Sequence, residues 1–122
     1  MSAFTRIDHV QLAMPPGEER RARDFYAGLL GMEELTKPAE LAERGGAWFR
    51  SGAVVIHLGI EHGFRPATKA HPALVCADYR ALVAKLEANG CETIADPTLI
   101  DGRQRCYVHD AFGNRIELID GG

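Results

Sequence analysis

The sequence predicts an α+β fold made of two βαβββ modules in a pseudo-two-fold arrangement, forming a curved mixed sheet. Two observations predict it. Ile56-His57-Leu58 is echoed 60 residues later by Ile116-Glu117-Leu118, and Asp8-His9-Val10-Gln11-Leu12 is echoed 62 residues later by Ala70-His71-Pro72-Ala73-Leu74. Two offsets this close describe one unit of about sixty residues written twice, and such internal repeats set the architecture before any single element does. Each copy also carries one amphipathic helical stretch among short alternating runs, the pattern of a mixed α and β unit.

The first unit opens with a strand over Ile7 to Met14, where Ile7, His9, Gln11 and Ala13 alternate with Asp8, Val10, Leu12 and Met14. Pro15-Pro16-Gly17 ends it. A helix follows from Glu18 to Leu30, with Ala22, Phe25, Tyr26, Leu29 and Leu30 on one stripe. Acidic residues suit its start and Gly31 its stop. Glu33 to Lys37 reads as a short strand before Pro38, and Leu41 to Gly45 as a loop or one helical turn. Ala47 to Arg50 and Val54 to Ile60 are two strands around a tight Ser51-Gly52 hairpin.

The stretch from Glu61 to Ala70 joins the units. The second unit starts with a strand from His71 to Cys76, whose Pro72 argues for an edge or first-residue position. Asp78 caps a helix with Tyr79, Leu82, Val83 and Leu86 on one face, ended by Asn89-Gly90. Glu92 to Ala95, Arg103 to His109 and Arg115 to Asp120 complete the strands. About eight strands and two main helices result. The 122 residues form a single domain, with module 1 spanning about 5–61 and module 2 about 70–120.

Composition excludes several classes of function. The apolar share of 46% and charged share of 25% are those of an ordinary globular protein. A net charge of −3 without a basic run gives no footprint for nucleic acid. No apolar run approaches the ~20 residues that cross a bilayer, and no signal-peptide pattern opens the chain. Cys76, Cys91 and Cys106 lack metal-type spacing and read as reduced thiols of a cytoplasmic protein.

Four polar residues interrupt the strands. Glu117 sits mid-strand among apolar neighbours, where a carboxylate must be paired, protonated or metal-bound. Pseudo-two-fold packing of the units brings His9 and His71 from the first strands toward His57 and Glu117 from the last. Three imidazoles and one carboxylate suit Zn, Ni, Mn, Fe or Co. A strand histidine taken singly is more often a hydrogen-bonded core or surface residue; four at equivalent repeat positions are harder to call accidental. His62 and His109 read as solvated. Arg50, Arg65, Arg103 and Arg105 are candidates to hold an anionic substrate, though most such arginines are surface charges. Trp48, Phe49, Phe64, Tyr107 and Phe112 are candidate pocket walls or core.

Asp8-His9-Val10, His71 and Gly113-Asn114-Arg115-Ile116-Glu117 resemble the vicinal oxygen chelate superfamily, which includes glyoxalase I, extradiol dioxygenases, fosfomycin-modifying thiol transferases and bleomycin-binding proteins. The resemblance covers nearly the whole chain. It implies paired βαβββ modules around a divalent metal. By position, His9, His71 and Glu117 match the two-histidine, one-carboxylate ligand set. His57 stands where glyoxalase I has a glutamate, which leaves Glu117 as the carboxylate for proton transfer, with His57 the other candidate base. The implied function is a metalloenzyme that chelates a small oxygen-rich substrate, of lyase or isomerase type first and dioxygenase or thiol-transferase type next. The rival is a non-catalytic antibiotic-binding protein. The family commonly forms homodimers, in some cases building the site between chains.

Overall fold

The computed structural model describes residues 1–122. Eight strands form two four-stranded mixed sheets with few helices, and each sheet is one repeat of the sequence. The first contains β1 (Val10–Met14), β2 (Glu33–Leu35), β3 (Ala47–Ser51) and β4 (Val54–Ile60), in the order β1-β4-β3-β2. The second contains β5 (Ala73–Cys76), β6 (Ile94–Ala95), β7 (Arg105–His109) and β8 (Arg115–Asp120), in the order β5-β8-β7-β6. In both, the first strand runs parallel to the last, and the other pairs are antiparallel. The two expected βαβββ modules are thus two sheets of identical topology.

Helix α1 (Glu19–Arg23) continues as a π-helical segment over Asp24–Leu29. Its wider turn is visible in the Leu30 N–H, which donates to the Phe25 carbonyl at 2.9 Å. Phe25 and Tyr26, at the start of this segment, are both buried in the core. Gly31, at φ +70°, ends the helix in the left-handed region. One turn, α2 (Ala39–Ala42), precedes β3. Helix α3 (Tyr79–Ala88) is capped by Asp78, whose Oδ1 accepts from the Ala81 N–H at 3.2 Å.

Four strands, β1, β5, β6 and β7, start two or three residues later than the sequence suggests. β1 begins at Val10, which pairs with Ile56 of β4. β5 begins at Ala73 because Pro72 has no N–H to give; its carbonyl accepts from the Glu117 N–H at 3.0 Å. A tight turn at Asp101-Gly102, both at positive φ, precedes β7.

The apolar faces of both sheets and the stripes of α1 and α3 share one core. Leu12 and Met14 of β1, Ile56 and Leu58 of β4, Ile116 and Leu118 of β8, and Leu86 of α3 are all buried there. Odd-numbered partners on the same strands, including Gln11, His57 and Glu117, therefore face away from it. The two halves are also locked by a buried polar network. Tyr26 Oη donates to Asp110 Oδ2 at 2.7 Å, and Asn114 Nδ2 donates to Asp110 Oδ2 at 3.0 Å and to the Ala13 carbonyl at 2.8 Å. Asp110 Oδ1 accepts from the Phe112 and Asn114 N–H groups, each at 2.9 Å. No helix is long and apolar enough to cross a membrane.

Candidate functional site

Strand register explains which side chains meet. Gln11 is paired with His57, and Ala73 with Glu117. His9 lies two residues before Gln11, and His71 two before Ala73. On an alternating strand each histidine therefore falls on the same face as its partner. His9 and His71 are equivalent, as are His57 and Glu117, and the structure brings them together as two pairs.

In the first sheet the pair is a stack. The His9 and His57 rings are 3.9 Å apart at 15°, and Trp48, directly across from His57 on β3, stacks on its other face at 4.0 Å and 4°. His9 Nδ1 lies 2.9 Å from Asp8 Oδ2. Burial lowers the His57 pKa below the usual imidazole value, and neighbouring His9 lowers it further. A hollow of about 220 Å³ adjoins Trp48, bordered by Gln11, Lys37 and Arg44.

In the second sheet the pair is a contact between donor atoms. His71 Nε2 lies 2.9 Å from Glu117 Oε1, while His71 Nδ1 lies 2.8 Å from the Lys69 carbonyl. A carbonyl only accepts, so Nδ1 carries hydrogen. A neutral His71 then turns the bare lone pair of Nε2 toward a carboxylate oxygen. Either a proton or a cation must lie between two such acceptors. The Lys69 carbonyl thereby fixes the orientation of the His71 ring toward Glu117.

The other Glu117 oxygen is held by Arg105, whose Nη1 donates at 3.2 Å. Arg105 also pairs with Asp96 at 2.9 Å and donates to Tyr107 Oη at 2.7 Å. Tyr107, directly opposite Glu117 on β7, sends its hydroxyl proton toward Asp96 Oδ2 at 3.2 Å and sets its ring edge-on to His71. Glu117 is 5% exposed, so both oxygens need these partners.

Within one chain no three His, Cys, Asp or Glu side chains gather as a ligand set. His71 faces a cleft of about 620 Å³ whose other wall is the free edge of β1, from Ile7 to Ala13.

The glyoxalase/bleomycin resistance protein/dioxygenase superfamily model matches residues 6–118. The chain belongs to this superfamily. A glyoxalase family protein from Bacillus anthracis shares 44% identity, with 100% of this chain and 99% of that one covered and a TM-score of 0.94. Two more distant structures share this superfamily fold. The fosfomycin resistance protein FosX from Listeria monocytogenes is 16% identical over 98% of this chain and 95% of its own, at a TM-score of 0.76. Lactoylglutathione lyase from Agrobacterium tumefaciens is 18% identical over 98% and 96%, at 0.70. No curated protein matches the sequence.

Among the arginines named from sequence, Arg105 contacts Glu117. Arg50 pairs with Glu33 and Arg103 with Asp101 on the surface, and Arg65 borders the β1 cleft. His62 and His109 are exposed. Cys106 is buried, and burial raises its thiol pKa, which disfavours a nucleophilic thiolate. Sequence reasoning missed Asp96 and the role of Tyr107. The signal available was parity: Arg105 and Tyr107 share a face of β7 that must meet Glu117 if those strands pair.

Proposed function

We propose that the protein is a glyoxalase-like metalloenzyme that takes a small oxygen-rich substrate, of lyase or isomerase type. The observation that carries this is the His71–Glu117 pair. An imidazole lone pair and a carboxylate oxygen converge at 2.9 Å, with the far side of each already held by Lys69 and Arg105. Such a pair supplies two donors to a divalent cation of the Zn, Ni, Mn, Fe or Co class. His9 is the third ligand in this reading, with His57 a fourth or neighbouring one. Because these lie in the other sheet, the set is completed in a cytoplasmic homodimer, where one copy's His9 face meets the other's His71–Glu117 face. The bound ion would act as a Lewis acid toward two vicinal substrate oxygens.

The chain's own residues account for the rest. Arg105 fixes the Glu117 carboxylate, and Tyr107 fixes Arg105. Glu117 or His57 moves the substrate proton, and their surroundings keep both away from bulk water. Trp48 and Tyr107 supply flat walls for a small planar ligand.

A second reading is a non-catalytic binding protein, in which His71 and Arg105 serve only to neutralise the buried Glu117 carboxylate. A thermal-shift screen against divalent metals separates the two. The enzyme reading expects a metal-dependent rise that His9→Ala and Glu117→Ala abolish, followed by ligand shifts that need metal. Ligand shifts indifferent to metal and to both substitutions would establish the binding protein instead.

A further inference from the structure

We infer that Arg115 is the residue that selects an anionic substrate, binding a carboxylate or phosphate-type group beside the His71–Glu117 pair. The inference deepens the proposed function and rests on its placement of the site.

Arg115 stands two residues before Glu117 on the same face of β8, a separation of about 7 Å along the strand. Its guanidinium carbon lies 3.8 Å from the centroid of the Tyr107 ring. That ring is itself immobilised, since Tyr107 Oη accepts from Arg105 and donates toward Asp96, and His71 packs at its edge. A guanidinium stacked on an aromatic face keeps its in-plane N–H donors free.

Those donors have no partner in the chain. The acids nearby are already committed. Glu117 is held by His71 and Arg105, and Asp96 by Arg105, Tyr107 and the Thr98 N–H at 2.9 Å. Arg115 forms no ion pair and its side chain makes no hydrogen bond, whereas Arg105, Arg103, Arg50 and Arg23 all pair with acids. It is half-buried rather than waving in solvent. A fixed, unpaired, forked donor set next to a carboxylate–imidazole pair is suited to a planar or tetrahedral oxyanion, which it engages through two parallel hydrogen bonds. The substrate class is therefore a small molecule with vicinal oxygens and an anionic group a few bonds away.

Two measurements test this separately from the metal. Inorganic phosphate is titrated into chelator-treated protein while the melting temperature is followed. Wild type and the surface control Arg103→Gln should be stabilised, and Arg115→Gln should not. Equal stabilisation of Arg115→Gln and wild type overturns the inference. Should Arg115→Gln fail to fold, the Arg115 Nε–H resonance of labelled wild-type protein decides: movement with phosphate supports the site, and none overturns it. In the second measurement, nickel-loaded protein is offered acetohydroxamate and succinic monohydroxamate, chelators that differ by a carboxylate. Wild type should prefer the carboxylated one about tenfold, Arg115→Gln should bind both alike, and Arg115→Lys should retain part of the preference. Equal preference in wild type and Arg115→Gln overturns the inference. Binding of neither chelator would instead sink the metal reading, and the phosphate arm would still decide the role of Arg115.

Discussion

Tyr26 and Asp110, 84 residues apart and in opposite halves of the chain, meet in a 2.7 Å hydrogen bond. Both are buried. Asp110 is also the hub that fixes Asn114, and Asn114 starts the strand that carries Glu117. The helix of one repeat thereby anchors the chemistry of the other.

Replacing Tyr26 by Phe keeps the ring and deletes the donor, leaving Asp110 short of a partner. The expected loss is about 1–3 kcal/mol in denaturant unfolding. Burial, followed by the Asp110 charge, raises the Tyr26 pKa well above its ordinary value of 10.0. The unfolded chain releases this proton first, so the stability tied to neutral Tyr26 is intact below pH ~10 and declines above it. Tyr26→Phe should flatten that alkaline decline; an unchanged pH profile would remove the assignment.

Metal binding should follow Glu117 and its support. Glu117→Ala should abolish the melting shift produced by saturating divalent cation, which for a site filled at 100 times its Kd is about 2.7 kcal/mol. Arg105→Lys keeps the charge and loses the fork, and should weaken metal affinity about 10–100-fold. Calorimetric titration measures both. Full affinity in Glu117→Ala would place any metal elsewhere.

Trp48 is the sole tryptophan and stacks on His57. Its fluorescence therefore reports on the first-sheet histidines. Divalent metal should change the emission, a chelator should reverse the change, and His57→Ala should remove it. An emission blind to metal that nonetheless stabilises the protein would exclude His57 and His9 from the site.

The homodimer is checked by sedimentation. His9 and His57 lie apart from His71 and Glu117 in one chain, so a metal-competent protein should sediment as a dimer at micromolar concentration. A clean monomer that still binds metal through all four residues would require rearrangement of the two sheets within the chain.

Gly46 tests the β3–β4 approach. It sits at φ +82°, and a Cβ there would lie 2.1 Å from the Leu58 carbonyl oxygen. Gly46→Ala combines backbone strain with that clash, so a loss of at least ~1–3 kcal/mol is expected in chemical denaturation.

Much of this was legible in the residues because it is periodic. The alternation in Val54 to Ile60 and Arg115 to Asp120 determined both last strands and placed His57 and Glu117 off the apolar face. The apolar stripe of Ala22, Phe25 and Tyr26 determined the helix, though not its π-helical continuation over Asp24–Leu29. The repeat determined that His9 matches His71 and His57 matches Glu117, since strand register preserves sequence offsets. Sequence could not say that His9 would stack on one face of His57 and Trp48 on the other. Trp48 lies across from His57 and Tyr107 across from Glu117, facing residues that are set by β3 and β7 pairing. Nor did sequence distinguish Arg105, neutralised by two acids, from Arg115, left unpaired on a ring. Charge pairing depends on which side chains lie within a few ångströms, and only the tertiary structure fixes those distances.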